Sequence, residues 1–275
     1  MFYSKKILIC GGDKRQKYLY RQMLLDGFDI GTYAIGEENP AIIDDFWKFD
    51  VVIFPVPVTR DGVHLNAPML DYSIKLNDIF AVLSPSQTVL GGITDKLNYD
   101  MIDYYKSEKL QMKNSIPTAE GAINIAMQNI ETTIYGSKCL VMGFGRTAKV
   151  LCDRLLKLGA YVSVAARSEK DLALSEIYGF TPINIKYLSD YISDFDIIFN
   201  TIPAVVVDNE IMGKINKNTL IIDLAGKPYG FDLDSAKAWN KNIITAPGLP
   251  GKYSPISSAK ILKEVISELL IEMEV

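Results

Sequence analysis

The sequence is poor in the residues from which metal and disulfide sites are built. It holds one histidine, His64, so a histidine-cluster metal site is excluded and no metal is expected. Its three cysteines, Cys10, Cys139 and Cys152, are odd in number and show no C-x-x-C spacing, which argues against a disulfide framework or a zinc knot. Each lies in an apolar run and reads as a small buried hydrophobe in a reducing compartment. No apolar run approaches the ~20 residues that cross a bilayer. There is no basic excess either: 29 Lys and Arg stand against 33 Asp and Glu, a net charge of −4. Neither nucleic acid nor an anionic membrane is therefore an expected partner. The first residues run straight into a strand-like segment without the apolar region and cleavage site of a secretory leader, so a cytoplasmic location is expected.

What is present is an ordinary globular composition. With 275 residues, 48% hydrophobic and 23% charged, the chain is long enough for one large or two modest domains. Short apolar runs alternate with helical stretches. Lys5–Cys10 is broken by Gly11-Gly12-Asp13, a helix over Lys14–Leu25 follows, and Asp26-Gly27 ends it. Further strands are expected at Asp29–Ala34, Val51–Phe54, Phe80–Leu83 and Val89–Ile93. A second series opens near Gly136, with strands at Lys138–Met142, Tyr161–Ala166, Asp196–Asn200, Leu220–Asp223 and Ile243–Thr245. This alternation predicts an α/β chain of two Rossmann-like, doubly wound parallel-sheet lobes. Residues 1–115 form the expected substrate lobe and 136–250 the nucleotide-binding lobe. A connecting helix over 116–135 starts at Pro117 or Thr118 and turns Ile123, Met127, Ile130 and Ile134 to one face. The segment 251–275 places Ile261, Leu262, Val265, Ile266, Leu269 and Leu270 on one helical stripe, expected to return to the first lobe.

The chemistry-bearing motif is Gly143-Phe144-Gly145-Arg146-Thr147-Ala148, which follows a strand and opens a helix. The first glycine permits the tight turn, the second lets a pyrophosphate approach the backbone, and Ala148 allows close helix–strand packing. A site for NAD places an acid at the end of the second strand to bind the ribose 2′-hydroxyl. Here that strand ends Ala166-Arg167-Ser168, without an acid. A guanidinium and a hydroxyl suit a 2′-phosphate, so the expected cofactor is NADP. Asn200, Thr201, Ile202 and Pro203 end the fourth strand and are expected to flank the nicotinamide ribose, while Ala225, Pro247 and Gly248 lie on the next loops. Arg146 is either part of the phosphate field or an exposed first-turn residue. His64 follows Arg60-Asp61-Gly62-Val63 in an expected loop, and no orienting partner is evident from the sequence, so it reads as a surface or structural histidine. D-2-hydroxy-acid dehydrogenases share a two-lobed plan but use a histidine late in the cofactor lobe, which this chain lacks.

Six segments in order resemble the family of the dipicolinate synthase A subunit: Asn114–Ala122, Gly143–Thr147, Ala166–Ser168, Asn200–Pro203, Asp223–Ala225 and Ala246–Gly251. The likeness is strongest from about residue 114 onward. It implies a sporulation enzyme in the mother-cell cytoplasm of an endospore-forming bacterium, at a branch from lysine biosynthesis. The implied substrate is dihydrodipicolinate or its hydrated tetrahydro precursor, the product is pyridine-2,6-dicarboxylate, and the flavoprotein-like B subunit of dipicolinate synthase is the implied partner. Such chemistry needs cations or backbone donors for two carboxylates. Lys14, Arg15 and Arg60 are candidates, as are the first-turn N–H groups of the connecting helix around Ser115, Thr118 and Glu120. Water, Asp13 or Glu120 could take the proton. Two alternatives stay open: a two-lobed dehydrogenase for another small carboxylate, and a non-catalytic nucleotide-binding scaffold. The oligomeric state stays open too, a homo-oligomer included.

Overall fold

The structure, a computed structural model, describes residues 5–36 and 40–273. Residues 1–4, on which the expected absence of a leader partly rests, and the last two residues of the C-terminal segment lie outside the described residues. Two compact units emerge: one is the chain up to Asn114 together with the chain from Pro250 onward, the other is Ser115–Leu249.

The first unit contains β1 (Lys6–Cys10), α1 (Lys14–Leu25), β2 (Asp29–Tyr33), β3 (Val51–Ile53), α2 (Leu76–Phe80), β4 (Thr88–Gly91) and β5 (Ile102–Asp103). Its sheet is parallel throughout, in the order β2-β1-β3-β4-β5. The apolar run of β1 explains its central place, because a strand buried on both faces needs apolar residues at every position. Ile7 and Ile9 join a cluster with Leu19 and Met23 of α1, while Leu8 and Cys10 join another with Phe46 and Phe54. α1 starts in a capping box: the Asp13 carboxylate accepts from the Arg15 N–H, and the Gln16 side chain accepts from the Asp13 N–H.

The long helix α3 (Glu108–Asn129) begins in the first unit and from Ser115 onward belongs to the second. That unit holds β6 (Lys138–Met142), α4 (Arg146–Lys157), β7 (Tyr161–Ala166), α5 (Glu169–Ile177), β8 (Thr181–Asn184), β9 (Ile197–Asn200), α6 (Asn209–Lys214), β10 (Leu220–Asp223), α7 (Leu233–Ala238) and β11 (Ile243–Thr245). The sheet is again parallel, ordered β11-β10-β9-β6-β7-β8, so the chain runs outward over β6, β7 and β8 and returns to the other side of β6 with β9. After α8 (Leu249–Tyr253), α9 (Pro255–Glu272) packs along α1 in the first unit. Its Ala259, Leu262, Val265, Ile266 and Leu270 are buried there, each larger side chain contributing about 1.5–3 kcal/mol. The fold is thus the expected pair of doubly wound α/β units, with the C-terminal helix back on the first.

Three expectations are corrected. Phe80–Leu83 is not a strand: Phe80 closes α2, and its ring stacks on Tyr99 at 4.3 Å. A short apolar run does not by itself separate strand from buried helix, and Asp78 in the first turn favours the helix here. Second, α3 begins at Glu108, not at Pro117 or Thr118, and Pro117 lies inside it. The helix runs through the proline because its first turns are anchored: Leu110 is buried, and Lys109 and Lys113 both reach Glu264 of α9, at 2.7 and 2.6 Å. Those contacts outweigh the hydrogen bond that the missing proline N–H forfeits. Third, Met127 is 52% exposed and leaves the expected face, while Ile123 is buried with Ala119, Ala122 and Ala126; Ile130 and Ile134 reach the same cluster from beyond the helix, which ends at Asn129.

Candidate functional site

Open parallel sheets bind ligands outside the carboxyl ends of the strands where the winding direction reverses. In the second unit that point lies between β6 and β9. Gly143 leaves β6 with φ +92°, and a Cβ there would lie 2.5 Å from the Thr201 hydroxyl oxygen. Only glycine fits both demands. Gly145 is the N-cap of α4, and a Cβ built on it meets no atom within 4 Å, so this backbone faces open space. No side chain caps α4, and no acid lies in its first turn. The positive end of the helix is therefore left for a ligand's negative charge. Ala148 is fully buried against the sheet, as the third fingerprint position requires. Phe144 is buried too, its ring edge-on to Phe180 at 6.1 Å, so only its backbone belongs to the turn. Arg146 is exposed and Thr147 half-buried in the first turn of α4.

At the end of β7, Ala166 is buried and Arg167 and Ser168 are exposed. Among the described residues, the Arg167 guanidinium makes no hydrogen bond or ion pair. The Ser168 hydroxyl oxygen caps α5, accepting from the Asp171 N–H at 3.0 Å, and retains its own O–H as a donor.

Asn200 departs from its expected role at the ribose. It is fully buried, its Nδ2 donating to the Ile202 carbonyl at 3.0 Å and to Asp223 Oδ1 at 2.9 Å, while its Oδ1 accepts from the Ile202 N–H. Thr201 likewise donates inward, to the Met142 carbonyl at 2.8 Å. These side chains shape the turn, which leaves half-buried Ile202 and exposed Pro203 as the outward surface. Asp223 is the other half of this knot. Its carboxylate accepts from Asn200, from the N–H of Ala225 at 2.9 Å and from the N–H of Gly230 at 2.8 Å. Burial pushes its pKa up, and the three hydrogen bonds oppose that rise. A Cβ on Gly230 would collide with the Asn200 amide. Ala225 is buried by the same knot, whereas Pro247 and Gly248 are exposed, Gly248 with φ +71°.

In the first unit the winding reverses between β1 and β3. Gly11 and Gly12 leave β1 with φ +68° and +104°. The Gly12 N–H donates to the Asn66 carbonyl at 2.7 Å, and the Leu65 side chain lies 2.8 Å from where a Gly11 Cβ would be. The long loop after β3 is thereby seated on the turn after β1. Arg60 is exposed, its Nε donating to Asn66 Oδ1 at 3.1 Å, and Asn66 Nδ2 donates to the Pro57 carbonyl. The guanidinium is braced through one nitrogen, and its Nη groups have no partner among the described residues. Further along the loop, Asp61 Oδ2 lies 2.7 Å from His64 Nδ1, the orienting partner that the sequence did not reveal.

The other expected substrate ligands are drawn elsewhere. Arg15 is buried: its Nε reaches Asp13 Oδ1 at 2.9 Å, and its Nη2 reaches Asp13 Oδ2 and the Val56 carbonyl at 2.9 and 2.8 Å. Gly251 presses on this pair, since a Cβ there would overlap Asp13 Oδ2 and lie 3.1 Å from Arg15 Nε. Asp13 and Arg15 thus form an internal lock, and the N-terminus of α1, unlike that of α4, is filled by the chain's own carboxylate. Ser115, Thr118 and Glu120 lie mid-helix, where the ladder uses their N–H groups, so they offer no helix-start anion site. Glu120 pairs with Arg154 at 3.2 Å, near the far end of α4 from the glycine turn. Lys14 is exposed. No group of three or more metal-ligating side chains, and no helix long and apolar enough to cross a membrane, exists among the described residues.

Known proteins share both the sequence and this architecture. Residues 6–112 match the family model of the N-terminal domain of the dipicolinate synthase A subunit. The A subunit of dipicolinate synthase from Bacillus subtilis is 32% identical over all of this chain and 98% of its own length. The crystal structure of the A subunit from Bacillus halodurans aligns with a TM-score of 0.88 at 30% identity, covering 98% of this chain and 99% of that one. The crystal structure of the Bacillus subtilis protein aligns at 0.85, also at 30% identity, covering 98% and 97%. This chain belongs to the family of dipicolinate synthase A subunits.

Proposed function

We propose that this chain is an NADP-dependent oxidoreductase subunit that forms dipicolinate from dihydrodipicolinate or its hydrated tetrahydro precursor. It does so in the mother-cell cytoplasm of a sporulating bacterium, together with a flavoprotein-like B subunit. The reading is carried by the uncapped N-terminus of α4 behind Gly143 and Gly145, with exposed Arg167, which has no partner among the described residues, at the end of β7 where a carboxylate would select NAD. The open space at Gly145 is what a pyrophosphate needs against the backbone.

The bound nicotinamide would supply the hydride acceptor. The N–H groups of residues 145–148 hold the pyrophosphate, Arg167 pairs with the 2′-phosphate, and the Ser168 O–H donates to it. Ile202 and Pro203 face the ribose in place of Asn200, whose side chain keeps the turn in shape. In the first unit, Arg60 anchors one substrate carboxylate through its Nη groups while Asn66 fixes the plane of the guanidinium. Aromatisation makes the oxidation downhill, so the chain's task is chiefly orientation.

Arg167→Ala is expected to raise the NADP dissociation constant about 10-fold or more while leaving NAD nearly unchanged, because a charged hydrogen bond is worth ~1.5–3 kcal/mol. Titration calorimetry with both nucleotides reads this. Equal weakening for both would remove the 2′-phosphate assignment. Absence of heat with either would remove the oxidoreductase reading.

A further inference from the structure

Resting on the function proposed above, we propose that His64, held by Asp61, accepts the proton released when the substrate is oxidised. Asp61 divides its two oxygens between two tasks. Oδ1 closes the loop, accepting from the Val63 and His64 N–H groups at 2.9 and 2.8 Å and from the Thr59 hydroxyl at 3.1 Å. Oδ2 has no part in that turn. It is given to His64 Nδ1 at 2.7 Å. These bonds hold the Asp61 carboxyl well below the usual carboxylate range, so the imidazole faces a fixed anion. An ionised carboxylate on Nδ1 selects the tautomer with hydrogen there and leaves Nε2 with its lone pair. That is the geometry of a general base with an orienting partner.

The position agrees with the chemistry. Two residues beyond His64, Asn66 is tied to the Gly12 turn at the winding reversal of the first sheet, and the same Asn66 braces Arg60. Arg60 and His64 therefore belong to one loop at the crevice where an open sheet binds its ligand. The charged groups on the elements packed here are Arg60, Asp61 and Asp71 of that loop, Lys75, which pairs with His64 across an antiparallel bridge, and Asp78 in the first turn of α2, whose Leu76 N–H donates to the Val63 carbonyl. In the step, one C–H bond of the dihydropyridine breaks with its electron pair, as the hydride that a bound oxidised nicotinamide would accept. The C–H bond of the neighbouring ring carbon breaks the other way: its electron pair enters the aromatic ring and its proton forms an N–H bond at His64 Nε2. Substrate loses two electrons with the hydride, and the imidazolium is paired with Asp61.

Because the chain has one histidine, the ring C–H signals in its NMR spectrum belong to His64 alone. Titrating the full-length protein with dipicolinate is expected to move that signal saturably. His64→Gln is expected to lower kcat about 100-fold or more with KM within about 3-fold. Asp61→Asn keeps one oxygen for the loop and presents an amide N–H to Nδ1. This moves the ring hydrogen to Nε2, so kcat should fall about 10-fold or more while the melting temperature holds. If calorimetry shows dipicolinate bound while the ring signal stays fixed, or if His64→Gln keeps wild-type kcat, His64 is not the acceptor and the oxidoreductase reading stands. If the protein binds neither nucleotide nor dipicolinate, both readings fall.

Discussion

Gly251→Ala tests whether Asp13 and Arg15 are a structural lock rather than substrate ligands. The added methyl overlaps Asp13 Oδ2 and lies 3.0 Å from Asp13 Cγ and 3.1 Å from Arg15 Nε, so the carboxylate must move. It cannot move without lengthening its bonds to the guanidinium, which is held from the other side by the Val56 carbonyl at 2.8 Å. Removing one partner of a fully buried pair costs roughly 3–5 kcal/mol. The Asp13 side chain keeps 23% of its surface exposed, so water partly compensates and a cost of about 2–3 kcal/mol is expected. Domains of this size shift by about 2–4 °C per kcal/mol, which puts the fall in melting temperature at roughly 5–10 °C. Gly226→Ala is the control, since a Cβ there meets nothing within 4 Å. Scanning calorimetry of the three proteins decides the matter. A Gly251→Ala melt that coincides with wild type would refute the lock and return Arg15 to the pool of substrate-binding cations.

Other outcomes follow from the same geometry. Gly145→Val places its side chain in open space, so the melting temperature should hold while nucleotide binding disappears by calorimetry; normal binding would make the fingerprint decorative. Glu264, whose pKa is lowered by hydrogen bonds from Lys109 and Lys113, stabilises the fold above the ordinary carboxylate value of 4.5, and that contribution is lost as pH falls below it. Glu264→Gln should therefore melt slightly lower than wild type at pH 7, and the gap should close as the pH is taken below 4.5, the difference staying small because the pair is largely solvated. The thiols of Cys10, Cys139 and Cys152 are buried and their pKa values raised, that of Cys139 to about 12, so a thiol reagent at pH 8 should label none of them until the protein is unfolded.

What the sequence revealed and what it hid follow a physical line. Lys138–Met142, Tyr161–Ala166 and Leu220–Asp223 were legible because strands buried on both faces must be apolar throughout. The glycine turn after β6 was legible because its backbone demands leave few residue choices. The α1 helix was legible from Asp13 and Gly27. The knot of Asn200, Asp223 and Gly230 was not, since its members lie far apart along the chain and meet only after β9 and β10 pair. The same holds for Gly251 over Asp13. The Asp61–His64 pair is local, and its i, i+3 spacing was available, but that spacing also occurs in any turn. Helix α3 hid its true start because a proline ordinarily marks a boundary, and only the α9 contacts say otherwise. β8 went unread because it is short and carries Pro182, tolerated at the edge of the sheet.

The first unit is assembled from the two extremes of the described chain, whereas the second is one continuous stretch. On a ribosome, the second can complete its core as soon as Leu249 emerges. The first must wait: until α9 is synthesised, the cluster around Leu19 and Met23 lacks the Ala259, Leu262, Val265, Ile266 and Leu270 that complete it. During that interval the nascent protein carries an exposed sticky surface, a natural substrate for a chaperone and the place where a stalled or truncated product would begin to aggregate.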